Sequence, residues 1–303
     1  MRAMVTGGGG FIGSHLVDSL LARGDEVHVI DDLSTGSDEN VASAAELHEL
    51  DIRDEALEEL AGRVRPEVVF HLAAQADVGT SVERPTFDAE VNVVGTVRVL
   101  EAARAGDARA VFASSGGAIY GECERPAVED DEPRPLSPYA ASKLAGEQYL
   151  ATWSRLYGAG HVSCRLANVY GPRQKPTLEG GVVAIFLDRM RDGRDTEIFG
   201  DGSQTRDFVY VGDVVAALLA AAASPAGGIY NVGSGVATAI RELHRLCAET
   251  AGVAQEPRFA PERPGDLRNS VIDPSRTARD LLWHAETSLA AGLAKTWGSL
   301  PPM

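Results

Sequence analysis

Short apolar runs recur through the first half of the chain, and they predict strands near residues 2–6, 26–31, 46–52, 67–73, 109–115 and 161–167. Between them, residues 11–23, 86–106 and 138–157 repeat apolar positions at three- and four-residue spacing with polar faces between, the pattern of amphipathic helices. Strands alternating with helices predict an α/β fold with a parallel, doubly wound sheet. After Gly171 the rhythm loosens, and GPRQKP, FGDGSQ, SPAGG and ERPGD punctuate shorter elements. We therefore expect a first domain over 1–170, rejoined by about 208–234, and a smaller second one over 171–207 and 235–303.

Composition supports an ordinary globular protein, with 44% hydrophobic and 24% charged residues among 303. No run of eighteen uncharged apolar residues occurs, and MRAMVTGGGGFIG enters a strand at once without the basic head and cleavage site of a secretory signal. A cytoplasmic location is the expectation. Cys123, Cys164 and Cys247 are far apart, with no second Cys or His at ligand spacing beside them, so neither a disulfide framework nor a bound metal is expected. The formal net charge of −16 repels nucleic acid and anionic membrane surfaces, and excludes both as expected partners. An anionic ligand needs a local arginine pocket.

Thr6 ends the first apolar run, and Gly7, Gly10 and Gly13 follow in the spacing G-x-x-G-x-x-G, with Phe11 and Ile12 opening a helix. Glycines so placed permit a tight turn, a close approach of backbone to a pyrophosphate, and close helix packing, while the helix N-terminus offers N–H groups to the anion. Alone the motif is a glycine-rich turn. Here it joins a strand to a helix, and the next strand ends at Asp31, with Asp32 after it. An acid at that strand end accepts hydrogen bonds from a ribose diol and repels a 2′-phosphate, which favours NAD over NADP. Asp51 and Ile52, then Leu72, Ala73 and Ala74, end further strands along the same edge and extend the cofactor site. For Asp51 a turn-capping role is an equal alternative.

Tyr139 and Lys143 are four residues apart in SPYAASKLAGEQYL, so both project from one helix face. With seven Tyr and three Lys in the chain, such a pair is uncommon by chance. A phenol of pKa about 10 must lose about three units, or about 4 kcal/mol, to act as a base near pH 7. An ammonium ~4 Å away at an effective dielectric of ~20 supplies about that much. The fifth strand ends in Ser114 and Ser115, and either can share a hydroxyl with Tyr139 there; both can instead cap backbone groups.

With these residues in place the chain resembles the extended short-chain dehydrogenase/reductase family, and within it the nucleotide-sugar epimerases and dehydratases, the UDP-glucose/UDP-galactose 4-epimerases most of all. The matching segments are TGGGGFIG, DIRD, HLAAQADV, NVVGT, FASSGGAIYG, YAASK, RLANVYGPRQ, GDGSQTRDFVYVGDVV, YNVGSG and ERPGD. The resemblance implies a Rossmann-type sheet with a smaller C-terminal α/β substrate-binding domain and tightly bound NAD. It adds Asn92 to the cofactor site. For a nucleotide-diphosphate sugar it implies Asn168 at the diphosphate or sugar, the backbone of Gly181 and Val182 at the base, Arg206 and Arg263 at the diphosphate, and Asp266 at the ribose. It also implies a homodimer through helices 86–106 and 138–157.

Members of this family share a first step, in which a tyrosinate takes the 4-hydroxyl proton as hydride leaves C4. A 4,6-dehydratase then needs an Asp and Glu pair after the strand-end residue, and a decarboxylase a Glu; here Gly116 and Gly117 stand there. Inversion at C4 of a nucleotide-linked hexose is the expected activity, with dehydration or decarboxylation as the alternative and a non-catalytic NAD-binding sensor as a third reading. Ser270 aligns with the position that gates the sugar 2-substituent and implies tolerance of N-acetylhexosamines.

Overall fold

The computed structural model describes residues 1–177, 181–263 and 266–301. Its first six strands are β1 (Arg2–Thr6), β2 (Glu26–Asp31), β3 (Glu46–Glu49), β4 (Val68–His71), β5 (Arg109–Ser115) and β6 (Val162–Leu166). They are followed by β7 (Asn168–Tyr170), β8 (Glu197–Phe199), β9 (Thr205–Tyr210), β10 (Gly228–Val232), β11 (Ala237–Ala239), β12 (Arg258–Ala260) and β13 (Asn269–Ser270). A seven-stranded sheet runs β10-β6-β5-β4-β1-β2-β3, every neighbouring pair parallel. The order reverses at β1 and β4, and the crevice beyond their carboxyl ends is where ligands of such sheets bind.

Both faces of this sheet are covered, which is why its central strands read as near-continuous apolar runs. Helices α1 (Phe11–Ala22), α2 (Ala56–Val64), α3 (Val78–Glu83), α4 (Pro85–Ala89), α5 (Gly95–Ala105), α6 (Gly116–Ile119), α7 (Pro138–Tyr157), α8 (Val182–Arg191), α9 (Val211–Ala223) and α10 (Ile240–Ala251) follow in chain order. Ala3, Val5, Val27, Val29, Phe70 and Val111 pack with Leu16 and Leu20 of α1 and Val214 and Leu218 of α9. The alternating positions Met4, Ile30, Val69 and Phe112 face the other way, onto Leu57 of α2, Val99 and Leu100 of α5 and Leu150 of α7. Strand β10 enters the sheet after the chain has left it at β7 and built β9, whose neighbours are β7, β11 and β13. A separate core of Tyr170, Phe186, Leu187, Leu243 and Leu293 supports that outer layer.

Helix α7 covers the span predicted for it. Ser137 Oγ accepts the Ala140 N–H at the N-terminus, Pro138 takes the first turn, and Gly158 ends the helix at φ +71°. The predicted helix over 86–106 holds a π-helical turn at Glu90–Val94 between α4 and α5, a one-residue excess that a 3.6-residue periodicity does not reveal. Strands β3 and β4 are shorter than predicted because the chain leaves the sheet at Leu50 and Leu72 to wall the crevice. Among the described residues no helix is long and apolar enough to cross a membrane.

Candidate active site

The turn after β1 is set by backbone contacts. Gly7 has φ +73°, and a Cβ there would lie 2.6 Å from the backbone nitrogen of Ala73. A Cβ on Gly13 would lie 2.1 Å from the Gly7 carbonyl oxygen. Asp31 is buried and accepts the Gly9 N–H at 2.8 Å and the Leu33 N–H at 2.9 Å, so the strand-end acid holds the glycine turn in place.

This turn opens on a cavity of about 620 Å³, within the range of cofactor sites. Gly7, Gly10, Phe11, Ile12, Gly13, Asp31, Asp32, Asp51, Ile52, Leu72, Ala73, Ala74 and Gly181 all line it. A cradle from which side chains are excluded on both sides of the turn, closed by a carboxylate at the second strand end, fits a dinucleotide. Asp51 also serves its own turn: it accepts the Arg53 N–H at 2.8 Å and binds the Arg53 guanidinium, which holds its carboxyl below the usual range.

Asn92, expected at the cofactor site, stands one layer behind the cavity wall. It is buried within the π-helical turn, accepts the Gln75 N–H at 2.9 Å, and donates to Gln75 O, Asp88 Oδ1 and Ser142 Oγ. The cavity is walled by Gln75 and Val91, and Asn92 fixes Gln75 from behind.

Lys143 stands behind the cavity wall at Ala113, which lines the cavity and whose carbonyl oxygen accepts from Lys143 Nζ at 3.0 Å, and Tyr139 on the same helix shares a hydrogen bond with Ser115. Lys143 lies 4.8 Å from the Phe112 ring and 6.0 Å from the Tyr139 ring. Its pKa is pulled down to about 8 by burial, against the opposing pull of Asp88 and Glu147. Burial raises the Tyr139 pKa, a hydrogen bond with Ser115 lowers it, and Asp88 raises it further. The balance differs from the sequence expectation, in which the Lys143 charge lowers the phenol: desolvation outweighs every opposing effect within the protein.

The two serines separate cleanly, because successive residues of a strand face opposite sides of the sheet. Ser115 faces Tyr139. Ser114 turns to the other side: its Oγ donates to Glu147 Oε1 at 2.6 Å, and Glu147 forms a buried ion pair with Arg165, also at 2.6 Å. Arg165 Nη1 donates in turn to Tyr120 Oη at 2.8 Å, and Tyr120 Oη to Asn231 Oδ1 of β10 at 2.8 Å.

On the sugar side Gly117, Asn168 and Ser270 form one corner. A Cβ on Gly117 would meet Asn168 Nδ2 at 3.6 Å and Ser270 Oγ at 4.0 Å, ordinary contacts, and Ser270 Oγ donates to Gly117 O at 3.1 Å. Gly116 is closed, its Cβ falling 3.1 Å from both Arg165 O and the Ile272 side chain. Val182 packs its side chain into the outer core, leaving its backbone beside Gly181. Arg206 and Asp266, assigned to diphosphate and ribose, bind each other; Arg206 also donates to Thr205 O at 2.8 Å and Leu267 O at 2.7 Å. The Arg263 guanidinium lies 4.0 Å over the Phe199 ring. The paired arginine fork expected for the anion is thus not presented as such: each guanidinium already has a partner.

Cationic groups that sequence reasoning left without a role stand at the cofactor cavity instead. Arg173 and Lys175 line it, Arg173 at φ +66° and paired with Asp18 of α1 at 2.7 Å, Lys175 Nζ donating to Thr35 O at 2.5 Å. His15 Nε2 lies 2.9 Å from Pro172 O and completes a strap across α1. The signal was GPRQ, a marker of resemblance only. His71 was also unassigned. It is buried between Thr6 Oγ1 at 2.8 Å and Thr96 Oγ1 at 3.0 Å, with its pKa pushed down to about 3 by burial and then by Lys143. A neutral imidazole there braces the ends of β1 and β4 beneath Ala73, whose N–H donates to Thr6 Oγ1.

Comparison with known proteins gives the site a context. The model of the NAD dependent epimerase/dehydratase family matches residues 3–233. The chain is 52% identical over 305 residues to a UDP-glucose 4-epimerase of Mycolicibacterium smegmatis, covering 98% of this chain and 97% of that protein. The fold matches a UDP-glucose 4-epimerase of Thermotoga maritima crystallised with UDP-glucose, at TM-score 0.96 and 44% identity over 99% of this chain and 98% of that one. A UDP-glucose 4-epimerase of Thermus thermophilus in complex with NAD matches at TM-score 0.94 and 46% identity over the same shares.

Proposed function

This chain belongs to the NAD dependent epimerase/dehydratase family, and from that premise we propose that it interconverts UDP-glucose and UDP-galactose by inverting C4 of the hexose. The observation that carries this reading is the corner opposite Ser115: Gly117 faces Asn168 and Ser270, and Gly116 is shut against Arg165 O and Ile272. Elimination of water requires an acid and a base on the substrate, and this corner supplies amide and hydroxyl groups instead. Inversion requires that the oxidised sugar turn over between two faces, which small uncharged residues allow.

NAD, when bound, supplies the hydride acceptor and donor for C4, and in its oxidised form a positive charge that favours the tyrosinate. The chain's own groups do the rest. The glycine turn between β1 and α1 receives the diphosphate of the cofactor, and Asp31 its ribose diol. Tyr139 Oη exchanges a proton with the sugar hydroxyl, Ser115 orients the same hydroxyl, and Lys143 is held in place by Ala113 O. Residues 1–170 and about 208–234 carry the cofactor, and 171–207 with 235–303 the UDP-sugar, through Asn168 at its border, Gly181, Val182, Arg206, Arg263 and Asp266. Ser270 leaves the 2-position open to N-acetyl groups. The unpaired Cys123, Cys164 and Cys247 suit a reducing cytoplasm.

We assign the dimer face to α5 and α7 and the π turn between α4 and α5. Tyr149, Trp153 and Tyr157 stack edge to face at 5.9 Å along α7, and Tyr149, Tyr157, Leu156 and Val94 are all exposed. An exposed aromatic row at four-residue spacing suits burial in a helix bundle. Leu156→Glu with Tyr149→Glu is expected to halve the mass measured by light scattering.

The decisive experiment incubates the purified protein with UDP-galactose and no added nicotinamide cofactor. UDP-glucose that retains its C4 hydrogen supports the reading. A 4-keto-6-deoxy product, or no conversion, overturns it.

A further inference from the structure

The parallel register of the last two strands creates a side-chain cluster unrelated to the cofactor cavity. β2 and β3 pair His28 with Glu46 and Ile30 with His48, and alternation along each strand puts His28, Glu46 and His48 on one face. His28 Nδ1 lies 3.1 Å from His48 Nε2 and 3.4 Å from Glu46 Oε2, and His48 Nε2 lies 3.6 Å from Glu46 Oε1. The imidazoles stack at 5.4 Å with 17° between their planes.

These separations suit a shared cation. A tetrahedral ion with bonds of about 2.0–2.1 Å holds its ligand atoms about 3.3–3.4 Å apart. Here the three side chains form a triangle of groups: the two imidazole nitrogens lie 3.1 Å apart, and Glu46 meets His28 Nδ1 with Oε2 at 3.4 Å and His48 Nε2 with its other oxygen, Oε1, at 3.6 Å, all within the reach of one ion. The outer partners are present too. His28 Nε2 lies 3.2 Å from Glu26 Oε1, and a proton held there leaves Nδ1 with its lone pair toward the triangle, the carboxylate–histidine arrangement found behind metal ligands. Glu46 is 66% exposed and His28 8%, so the triangle rests on a buried floor and opens to solvent on its carboxylate side. Of the charged side chains around the cluster, Arg63 faces His48, where Glu46 opposes it, and Glu26 faces His28.

We propose that His28, Glu46 and His48 bind one divalent transition-metal ion of the Zn²⁺ or Co²⁺ type, with a fourth position open to water. The sequence expectation of no metal rested on the cysteines; these ligands become neighbours only when the sheet forms. Imidazole and carboxylate donors in this number match such ions and differ from the six or more oxygens that Ca²⁺ takes. Bound there, the ion ties the edge strand β3 to β2.

The test uses the chelator-treated, NAD-containing protein. Co²⁺ titration followed by visible absorption, and Zn²⁺ titration by calorimetry, are expected to give one equivalent per chain. His48→Gln and Glu46→Gln, both at accessible positions, are expected to abolish that equivalent, and Glu26→Gln to weaken it about 10–100-fold. Circular dichroism and metal-free melting verify that each variant is folded. Zn²⁺ is expected to raise the melting temperature of the unsubstituted protein and leave that of His48→Gln unchanged. Absence of stoichiometric binding to the unsubstituted protein, or equal binding by folded His48→Gln and Glu46→Gln, overturns the proposal.

Discussion

On the cofactor side of the crevice, Gly7 and Gly13 leave no room even for a methyl group, and Asp31 is tied to the turn it faces. On the sugar side, Arg206 and Asp266 hold each other, Arg263 lies on Phe199, and Ser270 bonds to Gly117. One half is a backbone mould, and the other is a set of side-chain pairs, which the proposed UDP-sugar would exchange for its own contacts. A mould favours permanent retention of one ligand, whereas exchangeable pairs suit one that comes and goes.

The largest expected effect separates chemistry from both halves. Tyr139→Phe should lower turnover of UDP-galactose by about 10²–10⁴-fold, the usual contribution of a positioned acid–base group, while bound NAD measured after denaturation stays unchanged. Gly13→Ala tests the mould. Its methyl cannot fit without backbone movement, which costs about 1–3 kcal/mol, and the protein should purify depleted of NAD and with a lower melting temperature. Arg206→Lys tests the pairs: it keeps the charge and loses the fork, so KM for UDP-galactose should rise about tenfold with kcat little changed.

A last effect concerns pH and grows only gradually with each unit. His71 has a folded pKa of about 3 against an ordinary 6.5, so the unfolded chain binds the extra proton across that interval, and stability falls as pH drops from 6.5 toward 3. The slope from one such group is at most about 1.4 kcal/mol per pH unit. His161, pushed down to about 4 by burial, adds a similar slope between 6.5 and 4. His71→Gln should make the pH dependence shallower in urea unfolding measured at pH 6.5, 5.5 and 4.5, with the contribution of His161 retained.

The mould was far more legible in the sequence than the pairs, for a physical reason. Gly7, Gly10 and Gly13, and Tyr139 with Lys143, act through spacing within a single turn or helix, which sequence displays directly. Arg206 and Asp266 are sixty residues apart and meet only in the folded chain. Ser114 and Ser115 are adjacent, yet which one faces Tyr139 depends on the pleat, and the pleat on the whole sheet. The bracing of Gln75 by Asn92 from a π-helical turn likewise leaves no mark in the local sequence. Lys175 reaches Thr35 across 140 positions, so its place at the cleft had no local mark.

Helix α7 bears Tyr139 and Lys143 in its first turns and the row Tyr149, Trp153 and Tyr157 toward its end. Twenty residues of α-helix make a rod of about 30 Å with little give along its axis. The aromatic end and the phenol therefore keep a fixed separation along one rigid element. The same rod thus joins the reacting hydroxyl to the face proposed above for pairing of two copies.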